Sequence, residues 1–169
     1  MVEITKVYKQ NIPATRFIGK KYSDADRVNG GFGAKWGEWF QNGWFDEIEK
    51  QVDGSSGDLF EDGGATIGLM GKENGEFRYW IGYFTPADTV APSGFESIDF
   101  PACNIGIAWL YGKEEEIFGK EPMCAERLEK EGYEIIDFEG YNCFERYACR
   151  FASADEKGNL ILDLGFFVK

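Results

Sequence analysis

Alternating apolar and polar residues recur in short runs along the chain and predict a largely antiparallel β protein. Eight segments have this pattern and are expected to be strands: 2–9, 14–22, 65–72, 77–84, 95–99, 102–111, 143–151 and 160–168. Asn74-Gly75 separates the third segment from the fourth, and this dipeptide is typical of a tight hairpin turn. The pattern therefore predicts at least one hairpin and an α+β fold rather than a bundle of helices.

Two stretches between the strands have a helical rather than an alternating pattern. After a loop over 23–30, apolar side chains recur at every fourth position and predict a helix from near Gly31 to near Val52. The stripe consists of Phe32, Trp36, Phe40, Trp44 and Ile48. The second helical stretch covers 114–131, where Pro122 either interrupts the helix or opens a new one. The Gly- and Asp-rich segment 53–64 is expected to be a solvated loop.

The order of elements suggests an internal repeat. Ile12-Pro13-Ala14 in the first half has a counterpart in Phe100-Pro101-Ala102, and Arg78-Tyr79 has one in Arg146-Tyr147. We therefore expect one domain over 1–169 built from two similar units, 1–86 and 94–169, each with the order strand, helix, strand, strand. The expected result is a pseudo-twofold antiparallel sheet with two helices and a ligand cleft between the halves.

The penultimate strand carries the most informative residue. Side chains alternate along a strand, so Cys143, Glu145 and Tyr147 share one face, whereas Arg146 and Arg150 share the other, which we expect to meet solvent. Glu145 then lies on an otherwise apolar face, where an unpaired carboxylate costs several kcal/mol or takes up a proton. Glu145 is either a pocket acid for a ligand or reacting water, or one partner of a structural hydrogen bond or salt bridge.

Aromatic residues make up 17% of the chain and offer walls for such a pocket. Core packing is the ordinary role of most of them. Trp109 is the exception that we favour, because its strand face ends in amphipathic rings. Tyr79 and Tyr147 occupy matching positions of the proposed repeat and are expected on either side of one cleft. The candidate ligand-binding residues are Glu145, Trp109, Tyr79, Tyr83, Tyr111, Trp36, Trp39 and Trp80.

The composition excludes several classes of function. The 169 residues contain no His, so Ser-His-Asp triads and His-based zinc sites cannot form within the chain. No other metal-ligand pattern is present, and we expect neither a metal nor a cofactor. With 18 Lys plus Arg against 30 Asp plus Glu, the net charge of -12 opposes binding to nucleic acid.

The cysteines and the apolar runs indicate the compartment. The four Cys residues contain no C-x-x-C pair, and the polar N-terminal segment does not have the pattern of a secretory signal. No apolar run approaches the roughly 20 residues of a membrane span. We therefore expect a cytoplasmic protein with free thiols, no membrane partner and a small molecule as its main partner.

The chain resembles the GyrI-like family, which includes effector-binding domains of bacterial transcription activators. The resemblance rests on the Pro-Ala that opens each half, on the strand Phe144-Glu145-Arg146-Tyr147 and on the closing strand that leads to Gly165. It implies the pseudo-twofold sheet and a ligand cleft between the halves. In many members, a deep Glu on the penultimate strand meets cationic aromatic ligands, and Glu145 occupies that position here. The length of the chain indicates a stand-alone form without a helix-turn-helix region.

Three functions follow from these observations. The first, which we favour, is binding of hydrophobic, cationic or planar aromatic small molecules for sensing or sequestration. The second is hydrolysis of electrophilic, cyclopropane-bearing natural products, as the resemblance implies for some stand-alone relatives; Glu145 would act as general base and Tyr79 or Tyr147 as hydrogen-bond donor. The third is inhibition of a protein partner, as the family name implies.

Overall fold

The computed structural model of the chain describes residues 1–52 and 59–169, and its eight strands form one antiparallel sheet. The strands are β1 Glu3–Ile12, β2 Thr15–Tyr22, β3 Thr66–Glu73, β4 Glu76–Pro86, β5 Glu96–Phe100, β6 Cys103–Gly112, β7 Tyr141–Tyr147 and β8 Leu160–Val168. The helices of the described part are α1 Gly33–Asn42, α2 Trp44–Glu49, α3 Glu121–Lys130 and α4 Cys149–Ala152, with a 3₁₀ turn at Asp24–Asp26. The α+β prediction is confirmed. The expected loop over 53–64 lies partly outside the described residues.

The strand order is symmetric about the centre of the sheet. The strand order is β1-β6-β8-β7-β3-β4-β2-β5. If β1, β2, β3 and β4 are exchanged with β5, β6, β7 and β8, respectively, the same order is obtained from the other edge. Pro13 lies between β1 and β2, and Pro101 lies in the equivalent place between β5 and β6. The other sequence echo is out of register, because Tyr79 belongs to β4 and Tyr147 to β7, which are not equivalent strands. Internal duplication therefore stays a prediction that rests on the strand order and the Pro-Ala motif.

Turn chemistry sets the hairpin between β3 and β4 as expected. Asn74 and Gly75 have positive φ angles of 54° and 81°, the combination that a type I′ turn requires. Such a turn has the same twist as the flanking strands, so Met70 pairs with Tyr79 and Gly68 with Ile81. The hairpin thereby fixes the register between β4 and β3, and β3 is one of the two central strands of the sheet.

Three boundaries of the predicted helices and strands differ from the expectation. The first predicted helix is broken by Gly43, whose φ of 66° is left-handed, and Phe40 of α1 is 67% exposed rather than part of a buried stripe. Pro122 lies in the first turn of α3, where a missing N–H does no harm, so it opens the helix. The predicted strand 143–151 ends at Tyr147 and continues as α4. No helix in residues 1–52 or 59–169 is long and apolar enough to cross a membrane.

Each face of the sheet carries an apolar cluster. The helix face packs against α1, α2 and α3 through Trp39, Ile48 and Leu128. The opposite face carries a second cluster, in which Phe100 of β5 stacks on Phe167 of β8 with the ring centroids 5.2 Å apart. Because β5 and β8 are not neighbours in the sheet, the sheet curves around this second cluster.

The opposite face also contains a buried ion-pair network, which corrects the expectation that its arginines meet solvent. Arg146 is 1% exposed and donates from Nε to Asp163 Oδ2 at 2.9 Å. Arg150 donates to the same oxygen at 2.6 Å and to Asp62 at 2.9 Å. Further acceptors of Arg146 are the side chains of Gln10 and Tyr8. Arginine is tolerated here because the carboxylates and polar acceptors replace water around its guanidinium.

We expect Asp163→Asn to lower the free energy of unfolding by about 3 kcal/mol, because it leaves two arginine charges with less compensation, one of them fully buried. Urea unfolding at neutral pH measures this loss. Asp99→Asn is the matched control, since Asp99 pairs with Arg16 at 2.7 Å but its side chain is 68% exposed, and little change is expected there. Equal losses in the two variants would contradict a stabilising role for the network.

Candidate functional site

A cavity of about 1120 Å³ opens on the helix face of the sheet, over the central pair β3 and β7. Both halves of the chain contribute to it: the loop before α1 and α1 itself on one side, and the start of α3 on the other. Rings form much of its wall: Phe32, Trp36, Phe77, Tyr79, Phe118 and Tyr147. The cavity therefore lies where the sequence predicts a cleft between the halves.

Glu145 on β7 lines this cavity and is 7% exposed. The hydroxyl of Tyr79 donates a hydrogen bond of 2.5 Å to its Oε1 atom. The Tyr79 oxygen in turn accepts a hydrogen bond of 3.0 Å from Nε1 of Trp36 on α1. A chain of donors thus runs from the indole to the phenol to the carboxyl group, and it orients Glu145 at the cavity wall.

The missing side chain of Gly68 makes room for this pair. Gly68 lies opposite Glu145 in the β3–β7 ladder. A Cβ atom at this position would lie 2.3 Å from the Tyr79 oxygen and 2.6 Å from Glu145 Oε1. Any larger residue would therefore push the Tyr79 hydroxyl and the Glu145 carboxyl group apart.

Burial changes the protonation behaviour of the site. Loss of solvent raises the pKa of Glu145 to about 7, the hydrogen bond from Tyr79 opposes this rise, and the negative charge of Glu121 adds to it. Burial and the nearby carboxylate raise the pKa values of Tyr79 and Tyr147 well above the ordinary tyrosine value. Both phenols therefore keep their protons near neutral pH, whereas Glu145 is poised between its two forms.

Ring packing holds the aromatic wall in place. Phe32 stacks on Tyr79 with the ring centroids 4.4 Å apart and the planes within 2° of parallel. Trp36 meets Tyr147 edge to face at 4.8 Å. Offset and edge-to-face contacts of this kind favour fixed ring positions. The wall presents flat apolar surfaces next to one carboxyl group.

The structure brings four of the predicted site residues together and separates the others. Glu145, Tyr79, Tyr147 and Trp36 all line the cavity. Trp109 does not line it, which corrects the residue that the sequence favoured most. Its ring belongs to the opposite face, where Lys6 and Arg150 lie 4.6 Å and 4.4 Å from its centroid.

Four further predicted residues also lie outside the cavity wall, and their polar atoms form hydrogen bonds elsewhere in the fold. Trp80 is on the opposite face and donates to Tyr141. The other three contacts are Trp39 with the hydroxyl of Tyr22, Tyr83 with Glu49, and Tyr111 with Asp155. These rings strengthen the core and the loops, as the ordinary role of aromatic residues suggests.

Some wall residues were not predicted from sequence. Phe32 was assigned to a core stripe, and Phe77 and Met70 had no distinguishing signal. Glu121 had no special position in the predicted helix 114–131, whereas the observed helix begins at this residue. Nor did the pattern indicate that Gly68 faces the site. In the part of the chain that the structure describes, no three His, Cys, Asp or Glu side chains are grouped to hold a metal ion.

The fold is shared with several solved structures. A protein of Staphylococcus aureus MU50 that is assigned to bacterial transcription regulation matches with a TM-score of 0.61 and 13% identity, over 98% of this chain and 99% of that one. SAV2435, solved bound to tetraphenylphosphonium, matches with a TM-score of 0.65 and 13% identity, over 98% and 94%. A hydrolase from Listeria innocua matches with a TM-score of 0.54 and 10% identity, over 97% and 92%.

Sequence comparison adds no closer relation. No protein-family model and no curated protein sequence matches the chain. At identities of 10% to 13%, the structural matches show a common fold. The function of this chain must therefore be argued from its own cavity.

We expect the buried carboxyl group to make stability fall as pH rises. The folded chain holds the Glu145 proton more tightly than the unfolded chain, with a pKa of about 7 against an ordinary 4.5, so stability is lost between these two values. Relative to Glu145→Gln, the native chain should lose up to about 3 kcal/mol of unfolding free energy between pH 4.5 and pH 8. Urea unfolding of both proteins across this range measures the difference. A difference that does not change with pH would show that Glu145 is not buried as an acid.

Proposed function

We propose that this chain binds hydrophobic cations with planar aromatic groups in the cavity, with Glu145 as their anionic contact, and thereby senses or sequesters such molecules. The observation that carries the proposal is a buried carboxyl group in an aromatic wall. Among the described residues, no Lys or Arg forms an ion pair with it. A ligand cation would supply the missing opposite charge.

The chemistry of the wall suits such a ligand. A cation over a ring face gains about 0.5 to 2 kcal/mol per good contact, and the value rises when water is excluded. A cation beside Glu145 also favours its ionised form, which burial alone disfavours. Tyr79 keeps its proton and continues to orient the carboxylate. Flat rings and one charge specify a class of molecules rather than a single shape.

Two further observations support the proposal. The sequence resembles the GyrI-like family, in which the position of Glu145 meets cationic aromatic ligands. The fold matches that of SAV2435, which was solved with the aromatic cation tetraphenylphosphonium bound. We therefore assign this chain to the effector-binding type of that family as part of the proposal.

Calorimetry with tetraphenylphosphonium and with the neutral triphenylphosphine oxide tests the role of Glu145. We expect Glu145→Gln to weaken binding of the cation at least about tenfold and that of the neutral compound much less. Glu134→Gln is the matched control, because Glu134 is exposed and pairs with Lys169 outside the cavity. Equal weakening of both ligands by Glu145→Gln would contradict the proposal.

The affinity for the cation should also rise with pH. The cation prefers the ionised carboxylate, and Glu145 has a pKa of about 7, so binding should tighten from about pH 6 to about pH 8 and level off above that. The other titratable groups that influence this carboxyl are Tyr79, Tyr147 and Glu121. Binding of the neutral compound should not follow the same curve. A flat profile for the cation would argue against Glu145 as its contact.

Hydrolysis of electrophilic, cyclopropane-bearing molecules is the second candidate. The observation that favours it is the buried Glu145 carboxyl group with the Tyr79 hydroxyl 2.5 Å from it. Burial raises the pKa of Glu145 to about 7 and keeps the protons on Tyr79 and Tyr147, which suits a general base and its hydrogen-bond donors. Incubation with a cyclopropane alkylator, followed by mass spectrometry, tests it. Ring-opened product that disappears in Glu145→Gln would support hydrolysis, and stoichiometric binding without product would contradict it.

A further inference from the structure

We infer that Glu121 forms a second anionic subsite in the same cavity and that the preferred ligands carry two separated cationic groups. The inference rests on the proposed function, because Glu145 must receive one of the two cations. Glu121 is the first residue of α3, whereas Glu145 lies on β7, and both line the cavity. The two carboxylates thus approach one space from different elements.

In the described part of the chain, Glu121 has no charged partner, unlike Glu126 and Glu131 of the same helix region. Glu126 pairs with Lys130 at 2.7 Å, and Glu131 pairs with Arg127 at 3.3 Å. Within residues 1–52 and 59–169, Glu121 forms neither an ion pair nor a side-chain hydrogen bond. Its carboxylate is therefore available to a ligand, with Phe118 and Pro122 as apolar neighbours in the wall.

The charge of Glu121 acts on the interior of the cavity. It contributes to the raised pKa values of Glu145, Cys143 and Tyr147, all of which line the same space. Two like charges that face one cavity repel each other, and a single cation on Glu145 compensates for one of them. A ligand with a second cation compensates for both.

Neither of the two cationic residues that the structure describes in the wall, Arg27 and Lys72, forms an ion pair with Glu121 or Glu145. Arg27 is neutralised by Asp24 at 2.8 Å, and its guanidinium lies over the ring of Phe32 at 4.6 Å. Lys72 is exposed at the end of β3. Asp137 accepts a hydrogen bond from its own loop at the amide of Gly140. The negative charges of Glu121 and Glu145 are thus left without an ionic partner among the described residues of the wall.

The size of the cavity agrees with an elongated ligand. Its volume of about 1120 Å³ lies above the range of roughly 300 to 1000 Å³ that is usual for small-molecule sites. Rings from both halves line the same cavity as the two carboxylates, among them Phe32 and Phe118. A ligand with an aromatic group at each end would therefore have rings of both halves to contact.

Binding of pentamidine, a flexible molecule with two benzamidinium groups, and of its half, 4-pentyloxybenzamidine, tests the inference by calorimetry. We expect the native chain to bind the dication at least about tenfold more tightly than the monocation. Glu121→Gln should weaken binding of the dication far more than that of the monocation and so remove most of this difference. Glu129→Gln, an equal charge change at an exposed position of the same helix, should leave both affinities unchanged.

The outcomes separate this inference from the proposed function. Equal affinities of the native chain for the two probes, or an equal loss for both in Glu121→Gln, would overturn the second subsite. In either case, weaker binding of the monocation in Glu145→Gln would still support the proposed function. If Glu121 serves α3 alone through its position at the helix N-terminus, Glu121→Gln would lower the melting temperature without changing the ratio of the two affinities, and this result also overturns the inference.

Discussion

The burial of the Glu145 carboxyl group is the constraint on which the site depends. A carboxyl group can leave water only where donors replace part of its hydration, and Tyr79 supplies such a donor at 2.5 Å. Gly68 must lack a side chain for the two groups to meet. The position of one acid thus accounts for residues on three neighbouring strands, β4, β3 and β7. The apolar clusters on both faces supply the stability that this arrangement requires.

The two faces of the sheet divide structural and chemical roles between them. Neighbours in β7 point in opposite directions, so Glu145 faces the cavity while Arg146 faces the buried ion pairs with Asp163. That network also reaches β1 through Tyr8. The strand that presents the acid is therefore held from behind by interactions that never touch the cavity. Arg146 therefore has ionic partners on one face, whereas Glu145 on the other face has a hydrogen-bond donor but no opposite charge among the described residues.

The cavity lies at the junction of the first and second halves of the chain because the central strands β3 and β7 come one from each half. The symmetric strand order places α1 and the start of α3 on the two sides of that junction. Solved structures with 13% sequence identity share the fold of this chain. The side chains around the junction in this chain include the Phe32–Tyr79 stack and the second carboxylate at Glu121.

Local patterns by themselves determined the strands, the Asn74-Gly75 hairpin and the unusual position of Glu145, because alternation and turn conformation depend on residues that are close in the chain. Alternation could not show which face of one strand aligns with which face of another, so Trp109 was placed with Glu145 although the two lie on opposite faces. It likewise could not show that Arg146 is buried, since its partners Asp163 and Gln10 come from distant segments. The tertiary structure decided these points, because register across the sheet and long-range ion pairs form only when the strands are assembled.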